Sequence, residues 1–417
     1  MKCSLSKSRL FAGACLALIG LSAAPTYASA QEADVIHFWT SGAEAKAAKA
    51  IADAYTQKGG KWIDSAVVGG PAARAAAINR IAGGNPPTAM QWTSIVALRD
   101  LASQGLIANL DDEAAKGNWK AVLPPLLYDR ISYEGHIIAA PLNVQASNMM
   151  FYSTKIFSDL KIEPPKNWDE FFVVADKIKA AGLTALAIGI QRPQMHYLFQ
   201  SILLGTGGSD HYRKVWVDHD VAAAGDASTV KAFEVLRRLT GYVDSASPNR
   251  KWNDTSYLVQ KNQAAMQIIG DWAKSEFMVA GLTPGKEFGC TLAPGNENHL
   301  ITIVDLMAFP ASNQDAARQK LAETVMDPAV QVAFNSIKGS LPSRTDAKIP
   351  NLDMCGTLTE KVVQQSPQNL VPGYSGVFSG DTEGAIGDLI VQYWNDPKMT
   401  AGDAAKSLAG IVSKIDK

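Results

Sequence analysis

The chain has 417 residues, 47% hydrophobic and 19% charged, which is enough apolar material for a large buried core. Its 39 basic and 40 acidic residues leave no basic excess, and this argues against nucleic acid or an anionic membrane surface as partner. The length fits two domains of the usual ~100–200 residues.

Met1–Ala30 reads as a secretory signal peptide. Lys2, Lys7 and Arg9 make a basic start, Phe11–Ala24 is an apolar run, and Ala28-Ser29-Ala30 is a small-residue cleavage site. The apolar run falls short of the about 20 residues a membrane span needs. Cutting after Ala30 removes three of the 39 basic residues, so 36 face 40 acidic ones, a net charge of −4 on an exported chain.

A strand–helix alternation opens the mature chain. Val35–Trp39 reads as a strand and Glu44–Tyr55 as a helix with Ala48, Ile51 and Tyr55 on one face. Ser41 and Glu44 have the spacing of a capping box. Trp62–Val68 is the next strand, Gly69-Gly70-Pro71 a turn, Ala72–Ala82 a helix, and Gly83–Pro87 its stop. Ala89–Trp92 and Ile95–Ser103 repeat the unit, and strands alternating with ten-residue helices imply a parallel sheet. Ile131–Ala140 reads as a hairpin turning at Glu134-Gly135. Asn167 and Glu170 open a helix that Gly182 closes, followed by a strand over Leu183–Ile190. Gly205-Thr206-Gly207-Gly208 reads as a loop, because it lacks the strand and third glycine of a dinucleotide fingerprint. Ala264–Ile269 is a strand that turns at Gly270-Asp271-Trp272, and the C-terminal third reads as helical and irregular. No low-complexity linker divides the chain, so short crossing segments near Pro141–Gln145, Leu300–Val304 and Ser343–Pro350 are expected to join two lobes.

After processing, Cys290 and Cys355 remain. In an oxidising compartment an even pair reads as a disulfide, with two buried thiols as the alternative. The scattered histidines have no metal-ligand spacing, so no metal or cofactor is expected. No nucleophile elbow or Walker loop is present, and no catalytic residue is assigned.

The richer signal lies at the carboxyl ends of the strands, where open α/β sheets bind ligands. Trp39, Trp92 and Trp272 stand there. An indole offers a face to the apolar side of a sugar ring, while polar side chains meet its hydroxyls. Glu44, Gln91, Asn143, Gln145, Asp271, Asp305 and Lys338 are of the right types. Core packing competes as a role for each Trp, and capping competes for Glu44. Asp305 lies inside the apolar run Ile301–Phe309, where a carboxylate needs a ligand or a satisfying partner; ligand is the assignment here.

These residues resemble a known family. His37-Phe38-Trp39-Thr40-Ser41-Gly42-Ala43-Glu44, Pro164-Pro165-Lys166-Asn167-Trp168-Asp169-Glu170-Phe171, Gly270-Asp271-Trp272-Ala273-Lys274 and Lys338-Gly339-Ser340 are similar to segments of the extracellular solute-binding proteins of family 1. These are the periplasmic sugar receptors of ATP-binding-cassette (ABC) importers, and the glucose/mannose-type branch is the nearest match. The resemblance spans nearly all of Val35–Ile415 and includes Cys290 and Cys355. It implies a two-lobed periplasmic-binding-protein fold of type II-like α/β architecture, each lobe a sheet covered by helices. The implied lobes are residues 31–142 with about 303–345, and 143–302 with about 346–417. It also implies a monomer in the periplasm, with a sugar ligand and the importer's permease subunits as partners. Carried over, Trp39 and Trp272 would stack on the ring, Glu44, Asp305 and Lys338 would take hydroxyls, and Asn143 and Gln145 would line the cleft.

Departures turn the expectation away from ordinary glucose. Phe38 stands where the branch has a second Trp, Ile303 where it has Asn, Ile188 where it often has His, and Pro372–Val377 contains no His. Each change removes a polar partner. Two other readings compete with a neutral sugar. One is an anionic or phosphorylated polyol held by Lys338, Arg344 and the Gly69-Gly70-Pro71 turn; the other is a secreted carbohydrate-active enzyme.

Overall fold

The structure is a computed structural model that describes residues 31–415. The signal-peptide reading of Met1–Ala30 lies outside the described residues.

Local signals place the first elements. Gln31–His37 is a strand, beginning earlier than expected and ending two residues before Trp39. Ser41 caps the helix Gly42–Gln57 through a complete capping box, its Oγ accepting from the Glu44 N–H at 3.3 Å. The buried face of that helix includes Ala47, Ala48, Ile51 and Tyr55, the 3.6-residue rhythm of an amphipathic helix. Strand Gly60–Ala66, helix Gly70–Ala82, strand Ala89–Trp92 and helix Ile95–Ser103 follow. Pro71 sits in the first turn of its helix, where the missing N–H costs nothing.

These strands build a five-stranded sheet in the order Gly60–Ala66, Gln31–His37, Ala89–Trp92, Leu306–Ala308, Ala139–Pro141. The first three are parallel, but the last two join antiparallel, so the sheet is mixed rather than parallel throughout. Leu306–Ala308 enters from Leu300–Ile303 with no crossover helix, which frees it to run against both its neighbours, and Ala139–Pro141 keeps the direction of the first three strands. A second sheet runs Phe288–Leu292, Met149–Ser153, Ala264–Ile269, Thr184–Leu186, and a third runs Leu341–Pro342, Asn143–Ala146, Leu300–Ile303, Leu370–Pro372. The expected hairpin is Ser132–Tyr133 against His136–Ile137, with Glu134 and Gly135 at positive φ.

Two large apolar cores result. One gathers Val35, Ile51, Trp92, Leu98, Phe309 and Phe334 around the five-stranded sheet. The other gathers Phe171, Phe199, Trp216, Phe233 and Tyr393. A smaller cluster packs Phe151, Phe277 and Phe288 around the cysteines. The chain passes from the first sheet to the third through Leu142 alone, between Ala139–Pro141 and Asn143–Ala146. It returns through Val304 and Asp305, between Leu300–Ile303 and Leu306–Ala308.

Two further expectations are corrected. Gly205–Gly208 lies within the helical run Arg192–Trp216, not in a loop. Buried Leu198, Phe199, Ile202 and Leu203 before it, and Tyr212, Val215 and Trp216 after it, hold the helix, and Gly208 at φ +77° takes the kink. The strand expected over Leu183–Ile190 covers only Thr184–Leu186, because Gly189 and Pro193 lead the chain into that same helix.

Cys290 and Cys355 are disulfide-bonded, 65 residues apart in sequence. The bridge ties strand Phe288–Leu292 to helix Met354–Gln365. Closing such a loop restricts the unfolded chain by about 4 kcal/mol in the entropy model. Reduction, or the double change Cys290→Ser with Cys355→Ser, should lower the melting temperature in a thermal scan. An unchanged transition would show that the bridge adds nothing to the folded state.

Candidate functional site

A cleft of about 440 Å³ opens where the carboxyl ends of the first sheet meet the segment after strand Ala264–Ile269. Its walls come from both halves of the molecule. Trp39, Glu44, Gln91, Gln145, Trp272, Asp305 and Lys338 all line it, seven of the nine ligand residues expected from sequence. The other two, Asn143 and Asp271, are buried and do not line it. Trp92 is also buried outside the lining, as a core residue.

Asp305 forms the floor. Its Oδ1 accepts from Gln91 Nε2 at 2.8 Å, and its Oδ2 accepts from Asn143 Nδ2 at 2.8 Å and Gln145 Nε2 at 3.0 Å. Its own N–H donates to Asn143 Oδ1 at 2.8 Å. The satisfying partners that a buried carboxylate needs are therefore side-chain amides of the protein. Asn143 acts from behind the wall.

Glu44 and Lys338 form a second polar unit. Lys338 Nζ donates to Glu44 Oε1 at 3.1 Å, with both side chains almost fully buried. Glu44 thus serves its helix cap and the cleft together. Lys338 Nζ also lies 5.5 Å from the Trp272 ring centroid, within range of a cation–π contact.

The indoles are positioned by close packing. Trp39 meets Phe334 edge-on at 5.2 Å, and Trp272 meets Tyr197 edge-on at 5.1 Å. Gly270 permits the second arrangement: a Cβ there would fall 2.0 Å from the Trp272 ring. Trp39 Nε1 and Gln145 Oε1 are buried with no partner among the described residues, one a donor and the other an acceptor. Asp271 accepts the Ala146 N–H at 2.8 Å, while its Oδ1 has no partner. Burial pushes its carboxyl up to about 7 against the pull of Ala146 N–H, Lys338 and Lys274, with Asp305 adding to the rise.

Sequence reasoning missed several lining residues. Tyr197, Gln191 and Gln194 come from the start of the long helix, and Trp252 and Asn253 from the start of Trp252–Gln260. Their only signal is a polar or aromatic side chain near a helix N-terminus, which every α/β protein has many times. Arg344 stands outside the lining, bound to Asp346 and to the Met326 carbonyl.

The profile of the bacterial extracellular solute-binding proteins matches residues 39–332. The chain belongs to that family. A probable sugar-binding periplasmic protein of Brucella suis is 34% identical over 409 residues, 96% of each chain. One of Rhizobium meliloti, similarly described, is 36% identical over 400 residues, covering 94% of this chain and 95% of its own. Among solved structures, the solute receptor AcbH, described with an exclusive preference for β-D-galactopyranose, superposes at a TM-score of 0.78 with 18% identity. The alignment covers 91% of this chain and 97% of that one. A solute-binding protein of Thermotoga lettingae bound with α-D-tagatose gives 0.76 at 18% identity, over 92% of this chain and 99% of that one. The two-lobed fold is shared, and solute-binding proteins are not enzymes, which removes the carbohydrate-active alternative.

The Asp271 carboxyl gives this solute-binding protein a distinctive pH dependence. Its folded value near 7 lies above the ordinary 3.8, so the folded state holds a proton that the unfolded chain releases. Its contribution to stability is full below about pH 4 and is lost as pH rises through about 7. At roughly 1.4 kcal/mol per unit, the wild type should lose about 2–4 kcal/mol over that window relative to Asp271→Asn. Urea unfolding of both proteins across the range reads the difference, and parallel curves would contradict it.

Proposed function

We propose that this chain is the periplasmic receptor of an ABC importer, and that it captures a neutral sugar in the cleft and presents it to the importer's permease subunits as a monomer. The observation that carries this reading is the balance of the inner wall. Glu44 and Lys338 neutralise each other, Asp305 is held by three amides, and a buried donor on Trp39 and acceptor on Gln145 lack partners. A hydroxyl both donates and accepts, so a polyol meets such a wall without bringing an uncompensated charge. Trp39 and Trp272, one from each half, supply apolar faces for the ring.

The lobes in this proposal are residues 31–142 with about 303–345, and 143–302 with about 346–417. They hinge at the short crossings around Leu142 and Val304–Asp305. Met1–Ala30 directs export and is removed near Ala30. The family's placement in the periplasm of the Brucella and Rhizobium relatives supports this location. A ligand that touches both lobes favours the conformation that brings them together.

A thermal-shift panel of Gln31–Lys417 tests the reading. A neutral sugar at ~100 times its dissociation constant should stabilise the fold by roughly 2.7 kcal/mol, while sugar phosphates and acidic sugars stay silent. Shifts from anionic compounds alone would overturn the neutral assignment. Trp272→Ala should weaken the best neutral sugar by roughly 2–4 kcal/mol in calorimetry, with the melting transition still cooperative. Unchanged affinity would reduce Trp272 to packing.

A further inference from the structure

Beside the main cleft lies a second compartment of about 190 Å³. Phe38, Gly70, Pro71, Thr93, Pro193, Tyr197 and Ile303 line both, so the two are continuous. Its chemistry differs from that of the main cleft. Arg74, on the helix Gly70–Ala82, reaches across to Glu383 on the helix Gly380–Asn395, Nη2 to Oε2 at 3.2 Å. Glu383 is 6% exposed, and its Oε1 is buried with no partner among the described residues. Tyr197 and Tyr374 bring hydroxyls within 3.4 Å of each other. His196 stacks on Tyr374 at 4.2 Å, and burial holds its imidazole down to about 4, so it is neutral in the periplasmic range.

The space itself is maintained by sequence. Gly380 and Gly384 are four residues apart on one helix face, and both line the compartment. A Cβ at either position would meet no atom within 4 Å. An added methyl is tolerated sterically at both places, and the helix would gain from it.

We infer that this compartment reads a second hydroxylated ring, so that the ligand is a neutral disaccharide or glycoside rather than a free monosaccharide. The inference rests on the neutral-sugar reading of the main cleft. A hydroxyl of the second ring donates to Glu383 Oε1, and a neighbouring hydroxyl accepts from the Arg74 guanidinium. Above about pH 7, to which burial pushes the Glu383 carboxyl against the pull of Arg74, the ionised side chain takes up Arg74 and an anionic group is disfavoured. Arg192, also in the lining, is matched by Asp388.

Isothermal titration of Gln31–Lys417 with glucose, galactose and xylose, and with maltose, cellobiose, lactose, trehalose and sucrose, tests the inference. At least one disaccharide should bind tenfold or more tightly than either of its monosaccharides. Glu383→Gln should remove about tenfold from that disaccharide and change the monosaccharide less than threefold. Gly384→Leu, at a position that lines the compartment and not the main cleft, should abolish the disaccharide's advantage and keep monosaccharide binding. Monosaccharides binding as tightly as every disaccharide would overturn the inference while leaving the main-cleft reading intact. Equal losses for both ligand classes in Glu383→Gln would make the Arg74–Glu383 pair a lobe latch, which also overturns it. Binding of glucose 6-phosphate or gluconate with silence from every neutral sugar would overturn both readings.

Discussion

The cleft depends on one buried carboxylate. Asp305 sits in the two-residue passage between strands of different sheets, and it receives hydrogen bonds from Gln91, Asn143 and Gln145. An ion of this kind away from water is costly unless its acceptor sites are filled, so these amides are obliged to converge. The consequences run outward. Gln91 turns its Oε1 to the Phe38 N–H at 2.9 Å, fixing the end of the first strand from which Trp39 projects. Asn143 reaches Ser340, whose Oγ donates to Asn335 at 2.7 Å on the helix that ends with Lys338. A single desolvated group thereby sets both ends of the inner wall.

Around that floor, polar contacts join segments that are far apart in the chain. Glu276 accepts the Ala43 N–H at 3.0 Å, a carboxylate at the N-terminus of a helix from the other half. Ser275 Oγ donates to the Lys338 carbonyl at 3.2 Å, and Arg74 pairs with Glu383. Contacts of this number and kind are each worth about 1–3 kcal/mol. A bound solute that touches both walls competes on that scale.

Much of this was legible from the chain alone, and what was legible is local. The capping box at Ser41 and Glu44, the Pro71 helix start and the Glu134-Gly135 hairpin are written in windows of a few residues. Asp305 stands out because a carboxylate inside an apolar run has no cheap explanation; the sequence reading assigns it a ligand, and the structure surrounds it with the amides of Gln91, Asn143 and Gln145, which no local window contains. What escaped depends on distance along the chain. Arg74 and Glu383 are 309 residues apart, and Ala43 and Glu276 are 233 apart, so no window contains either pair. The Gly205–Gly208 stretch misled for the opposite reason. Its local composition says loop, yet the apolar rows on both sides pay for a continued helix with one kink. Asp271 is legible only as the neighbour of Trp272, and its Ala146 contact turns it inward to the strand Asn143–Ala146.

A crystal structure of Gln31–Lys417 with the neutral sugar that stabilises it most would test the central claim most directly. The account predicts the ring against Trp39 and Trp272, with hydroxyls on Gln145 Oε1 and the Glu44–Lys338 pair, and with Gln91, Asn143 and Gln145 still bonded to Asp305. A sugar seated elsewhere on the molecule, or an Asp305 that gives up those amides to take the ligand itself, would contradict it.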